Sequence, residues 1–136
     1  MFALDAGNKE YMYTLSTLVL DDHRPFRKTL RRLLSRFEYI QISAEADSAE
    51  EALESVEQNP PELAIVDIRL PGMDGFEFSR ILKSKSPQTH IIFVTLHDNE
   101  AYQREAERLG IPYVTKHTLL ERLPPVLEKL GKLEDE

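Results

Sequence analysis

From Thr17 onward the chain switches repeatedly between two rhythms of apolar and polar positions. "TLVLDD" (17–22) is an apolar run of strand length that ends in two carboxylates. "PFRKTLRRLLSRF" follows, with Phe26, Leu30, Leu33, Leu34 and Phe37 at helical spacing and Arg and Lys on the other face. "YIQISAEA" alternates as a second strand. Ser48 and Glu51 form a capping box for "SAEEALESVEQN", whose apolar face is Ala49, Ala52, Leu53 and Val56 and which Pro60–Pro61 closes. "LAIVD" is the third strand. In "GFEFSRILKSKS" a helix points Phe78, Ile81 and Leu82 inward until Pro87 stops it. "HIIFVT" is the fourth strand, Asp98 is placed to cap "NEAYQREAERLG", and Gly110 ends that helix. "IPYVTK" supplies a fifth strand, and an apolar helical segment follows it. Ahead of this pattern, Met12 and Tyr13 are expected to cover the bottom of the first strand or to fray.

Five strand–helix alternations predict a parallel sheet covered by helices on both faces. "LAIV" and "IIFV" are apolar throughout, as strands buried on both faces should be. With right-handed crossovers, the economical α/β fold is a doubly wound, five-stranded parallel sheet of order 2-1-3-4-5. Ligands of such a sheet bind beyond the carboxyl ends of its strands, where the first and third strands part.

Composition narrows this picture without changing it. A chain of 136 residues, 41% apolar and 30% charged, suits one soluble domain with its own core. No apolar run reaches the length of a membrane span, and "MFALDAGNKEYMYTLS" lacks a signal-peptide core, so a cytosolic protein is expected. The absence of cysteine excludes disulfides, thiolate metal sites and cysteine nucleophiles. A net charge of −7 opposes the phosphate backbone of nucleic acid, so direct DNA contact would need another domain.

The chemistry gathers at the predicted carboxyl edge. Asp21 and Asp22 end the first strand, Asp67 the third, Thr95 the fourth and Lys116 the fifth. Singly these have ordinary explanations: a turn or cap for Asp, β-propensity for Thr, a solvated charge for Lys. Four strand ends sending complementary groups to one edge is a different matter. Three neighbouring carboxylates need a cation to stay ionised together, and an all-oxygen set suits Mg²⁺. The ion, the Lys116 ammonium and the Thr95 hydroxyl together suit the oxygens of a phosphoryl group. Asp67, at a central strand end, is the candidate nucleophile for an acyl phosphate, with Asp21 and Asp22 beside it to hold the ion.

In "VLDDH", "IVDIRLPGMDG", "FVT" and "YVTK", in that order and at near-family spacing, the chain resembles the receiver domain of bacterial two-component response regulators. Its flavour is nearest to receivers of regulators with helix-turn-helix outputs. The resemblance runs over 14–133, leaving 1–13 as an N-terminal extension and 134–136 as an acidic tail. It implies the flavodoxin-like receiver fold and a phosphoryl group passed to Asp67 from a phosphohistidine on a histidine kinase or phosphotransfer protein. Asp22 would ligate Mg²⁺ directly, Asp21 would orient one of the ion's waters or assist directly, and the Arg69 backbone carbonyl would complete the protein's share. Thr95 would bond the arriving phosphoryl group, Lys116 would pair with it, and Tyr113 would turn inward as the switch aromatic. Leu96, Arg69 and His97 would modulate access to the acyl phosphate. The resemblance implies a signalling domain, not an enzyme, with self-catalysed phosphoryl transfer and slow self-dephosphorylation. The face of the fourth helix, fifth strand and fifth helix would meet a downstream partner or output domain, and phosphorylation would be able to drive homodimerisation.

Three departures from the family pattern stand out. Leu96 occupies a position that is often small. "LGIPYVTKH" is one residue short before the fifth strand and has His117 where the family usually has proline. Pro124–Pro125 interrupt the last helical segment, so His117–Leu123 is expected to be a separate turn, with the helix starting near Pro124. The alternative function is a receiver-like interaction module that acts independently of phosphorylation. A Mg²⁺-dependent phosphatase fits less well, because Arg69 stands where a second acid would be needed. A mononucleotide-binding module lacks any glycine loop to cradle phosphate. His23, His97 and His117 are read as polar loop residues at the active edge.

Overall fold

In the computed structural model, which describes residues 3–4, 10–11 and 14–135, the alternating rhythms become strands and helices in the predicted order. The strands are β1 (Leu15–Leu20), β2 (Ile40–Ala46), β3 (Leu63–Val66), β4 (His90–Thr95) and β5 (Tyr113–Thr115). All pair in parallel in the order β2-β1-β3-β4-β5, the doubly wound topology expected from the sequence. The helices are α1 (Arg24–Leu34), α2 (Ala49–Gln58), α3 (Gly75–Lys85), α4 (Glu100–Leu109) and α5 (Leu119–Asp135). Ala3–Leu4 and Glu10–Tyr11 form a separate two-stranded antiparallel pair, and Met12 and Tyr13 lie outside the described residues.

Because side chains alternate along a strand, β3 and β4 feed two cores at once. Ala64, Val66, Ile91 and Phe93 pack on the side of α2, α3 and α4, where Phe76, Phe78 and Leu82 fill the space. Leu63, Ile65, Ile92 and Val94 pack on the other side with Leu30, Leu33 and Leu34 of α1 and Leu119, Leu123 and Leu127 of α5. Phe76 lies edge-on to Phe93, with ring centroids 5.1 Å apart.

The edge strand β2 does not keep one phase. Its register with β1 slips between Thr17 and Leu18, so that Ile42 faces Thr17, Ala44 faces Leu18, and Ser43 is the extra residue of a β-bulge. One inserted residue reverses the alternation beyond it. Ile40 and Ile42 therefore join the α1–α5 core, whereas Ala44 and Ala46 join the opposite one. Glu45, opposite Val19, is turned toward α1 as a result.

Helix ends follow their local chemistry, with two corrections to the sequence reading. Ser48 caps α2 through the Glu51 N–H, and Gly110 ends α4 at φ 69°. The cap of α4 is Asn99, whose side chain accepts the Tyr102 N–H, and not Asp98. Asp98 is one residue too early and instead accepts from Gln103 Nε2 at 2.6 Å. The second correction concerns α5, which is not broken at its prolines. A 3₁₀ turn over Lys116–Thr118 leads directly into a helix that begins at Leu119 and contains Pro124 and Pro125. A proline inside a helix forfeits one backbone hydrogen bond and costs ~3 kcal/mol or more. Here the carbonyls left without a donor belong to Leu120 and Glu121, both on the exposed side where water can serve them. Leu119, Leu123 and Leu127, at i, i+4 and i+8, stay buried on the other side, each contributing roughly 1.5–3 kcal/mol. The buried stripe outweighs the break.

Candidate functional site

Asp67 leaves the end of β3 with its N–H bonded to the Leu20 carbonyl at 2.9 Å, which anchors it beside the end of β1. Its carboxylate is buried: Oδ1 accepts the Ile68 N–H at 2.7 Å, and Oδ2 lies 3.3 Å from Lys116 Nζ. Asp21, only 2% exposed, accepts the His23 N–H on Oδ1 at 2.8 Å and pairs through Oδ2 with the same Lys116 ammonium at 2.8 Å. Asp22 is exposed at the cavity wall. One oxygen from each of Asp21, Asp22 and Asp67 can be chosen so that all lie within 4.8 Å of one another.

The electrostatics follow from this crowding. Burial pushes the Asp67 carboxyl above its ordinary value, the neighbouring Asp21 charge pushes in the same direction, and Lys116 opposes both. One ammonium facing three carboxylates leaves negative charge in excess. An all-oxygen donor set of this charge and spacing fits a hard divalent cation, which Asp21, Asp22 and Asp67 would hold.

The loop after Asp67 explains the stiff sequence "RLPGMDG". Gly72 adopts φ 78°, a left-handed conformation, and Asp74 caps α3 by accepting the Glu77 N–H at 2.9 Å. At Gly75 the constraint is steric: a Cβ there would come within 2.2 Å of the Asp67 carbonyl oxygen. Only glycine lets the start of α3 pass so close behind Asp67, where its N–H bonds the Ile68 carbonyl at 2.8 Å.

A cavity of about 640 Å³ opens over the carboxylates, its walls including Asp22, Phe26, Arg69, Leu96, His97 and Lys116. Arg69 Nη1 approaches His97 Nδ1 at 3.3 Å, and Leu96, 49% exposed, lines the same cavity. Thr95 is fully buried at the end of β4, its hydroxyl accepting the His97 N–H at 3.3 Å. It lies behind the cavity wall rather than on it. Tyr113 is half-buried on the edge strand, and its hydroxyl donates to the His97 carbonyl at 3.1 Å, in the loop that follows Thr95. His117 is exposed in the turn after Lys116.

Three neighbours take parts that their sequence pattern alone does not show. His23 is the N-cap of α1, its Nδ1 accepting the Phe26 N–H at 3.2 Å. Phe26, counted as a helix face residue, presents its ring to Lys116, whose Nζ lies 4.1 Å from the ring centroid. Arg27, counted on the solvent face of α1, is turned under the site, where it bonds the Asp21 carbonyl and the Asp47 carboxylate. The signal for Arg27 was the acidic "EAD" at the end of the second strand, unreadable without the β2 bulge.

Residues 17–128 match the family profile of the response regulator receiver domain. The chain is 36% identical over 118 residues to the sensory transduction protein LytT of Bacillus anthracis, covering 87% of this chain and 48% of that one. It therefore spans about half the length of that relative. Among solved structures, a LuxR-family two-component response regulator from Aurantimonas sp. SI85-9A1 superposes with a TM-score of 0.79 at 29% identity, covering 88% of this chain and 86% of that one. The signal receiver domain of a response regulator NarL from Mycobacterium tuberculosis superposes with a TM-score of 0.78 at 27% identity, over 88% of this chain and 98% of that one.

Proposed function

The chain belongs to the response regulator receiver domain family, and on that premise we propose that Asp67 is its phosphoryl acceptor. The observation that carries this reading is the buried Asp67 carboxylate, facing a cavity and shared with Lys116 and two further acids at the end of β1. In the step proposed, an Asp67 oxygen forms a bond to phosphorus as the P–N bond to the donor's imidazole breaks. The imidazole leaves with that electron pair and takes up a proton.

Asp21, Asp22, Asp67 and the Arg69 backbone carbonyl would hold Mg²⁺, which supplies charge compensation for the phosphoryl oxygens. Lys116, already poised against Asp67, pairs with the transferred group. Thr95, fully buried and off the cavity wall, bonds it through its hydroxyl hydrogen only after a local shift. Tyr113 is tied to the same loop, so movement of Thr95 toward the phosphoryl group draws on the Tyr113–His97 bond. This link connects the site to the α4–β5–α5 face, where a downstream partner or output domain would sense the change. Leu96, Arg69 and His97 line the approach and would set how readily donor and water reach the acyl phosphate. The donor class is a histidine kinase or phosphotransfer protein.

Intact mass after incubation with Mg²⁺ and a small phosphodonor, or a phosphorylated histidine kinase, tests the reading. A single added phosphate is expected on the wild-type chain, and none on Asp67→Asn or without Mg²⁺. A folded wild-type chain that takes no phosphate from any donor would overturn it.

A further inference from the structure

We infer that Arg27 is a positioning residue of the metal site, holding the Asp21–Asp22 peptide from behind so that the Asp22 carboxylate points to the ion. The inference rests on the carboxylate site proposed above. Arg27 differs from its neighbours on α1. Its side chain is 12% exposed, against 79% for Arg24 and 54% for Arg31. Its guanidinium reaches three acceptors from two parts of the chain: the Asp21 carbonyl at the end of β1 and, at the end of β2, the Asp47 carboxylate and Glu45 Oε1, the last at 3.4 Å. Nη1 meets both the Asp21 carbonyl and the Asp47 carboxylate while Nε faces Glu45, an arrangement held by two nitrogens of one rigid plane that a single flexible ammonium does not reproduce.

The Asp21 carbonyl matters because it belongs to the peptide unit that delivers Asp22. The Asp21 side chain is already held on both oxygens, by the His23 N–H and by Lys116. The exposed Asp22 carboxylate has no protein partner among the described residues, so its direction depends on the backbone that carries it. Arg27 holds the carbonyl of that peptide, beside the Asp21 N–H bond to the Ala46 carbonyl, and the Arg27–Asp47 bond ties it in turn to the start of α2. Without Arg27 the Asp21 carbonyl loses its side-chain partner, and the direction in which the next residue presents its carboxylate loosens.

Charge alone predicts the opposite result. Deleting a cation next to a divalent-ion site should tighten binding, while losing a positioning residue should weaken it, typically by about 10–100-fold for groups that orient metal ligands. Mg²⁺ alone would be titrated by calorimetry into wild-type protein, Arg27→Met, Arg27→Lys and the exposed-charge control Lys28→Ala, below the melting temperature of each. The expected Mg²⁺ Kd rises about 10–100-fold in Arg27→Met and by less in Arg27→Lys, which keeps the charge but not the fork, and it does not rise in Lys28→Ala. Arg27→Lys carries the test if Arg27→Met fails to fold. Arg27 variants that bind Mg²⁺ as tightly as the wild type would overturn this inference and leave the reading of Asp67 standing. A folded wild-type protein that takes up no Mg²⁺ would overturn both.

Discussion

Between α3 and α4 one carboxylate serves two guanidiniums, whereas at the carboxyl edge of the sheet one ammonium serves two buried carboxylates. Glu105 receives Arg108 and Arg80, each at 2.6 Å, on an open surface. Hydrogen bonds from Arg108 and then Arg80 draw its pKa down to about 2. Lys116 stands between Asp21 and Asp67 at 2.8 and 3.3 Å, and burial still drives the Asp67 carboxyl upward. The groups are the same in kind, but the stoichiometry and the access of water are reversed. The α3–α4 cluster is complete in itself. The edge cluster is short of positive charge, and that shortage fits it to a divalent cation.

The strongest way to break the contrast is to remove the shared ammonium. Lys116→Met leaves Asp21 and Asp67 buried without their cation, and should cost about 3–5 kcal/mol in metal-free denaturant unfolding. Added Mg²⁺ should restore more stability to this variant than to the wild type, which separates charge compensation from simple packing loss.

Asp67→Asn acts on the same cluster from the other side. It should abolish phosphate uptake yet raise the melting temperature of the metal-free protein, because it removes a carboxylate the site does not fully compensate. The sign with pH follows from the raised folded-state value of Asp67. Between the ordinary carboxylate range and that raised value the unfolded chain binds fewer protons, so ionisation of Asp67 works against folding as pH rises. The advantage of asparagine should therefore shrink on acidification through that window, as parallel thermal melts would show.

The α3–α4 cluster should respond least. Glu105 is lowered from 4.5 to about 2, so its contribution to stability is present above 4.5 and is lost as pH falls toward about 2. A carboxyl-carbon NMR titration should find that midpoint. Glu105→Gln should move the melting temperature only slightly, and added salt should erase the difference, as befits an exposed pair.

Much of this was legible in the sequence because it depends on local order. Apolar runs such as "LAIV" and "IIFV" announce buried strands, and a polar residue at the end of each run announces the edge where Asp67 and Lys116 meet. Features set by a single residue of offset were less legible. Asp98 and Asn99 are adjacent potential caps, and only backbone geometry chooses Asn99. Pro124 and Pro125 read as a helix break by their intrinsic cost, but the buried leucines at 119, 123 and 127 override it. Arg27 has the periodicity of a solvent-facing residue, and its burial depends on acids 18 and 20 residues later in the chain that the bulge at Ser43 delivers to α1.

That bulge also bears on how the molecule behaves in a crowded solution. β2 is an outer strand of the sheet, and an outer strand offers unpaired backbone groups to any passing chain. A straight strand from a second molecule would stay in step with β2 only as far as Ser43 and would then lose its pairing. The other outer strand, β5, is three residues long and gives little purchase. Both margins of the sheet are thereby poor templates for fibril growth. The same inserted residue that brings acids to Arg27 thereby guards an edge of the sheet.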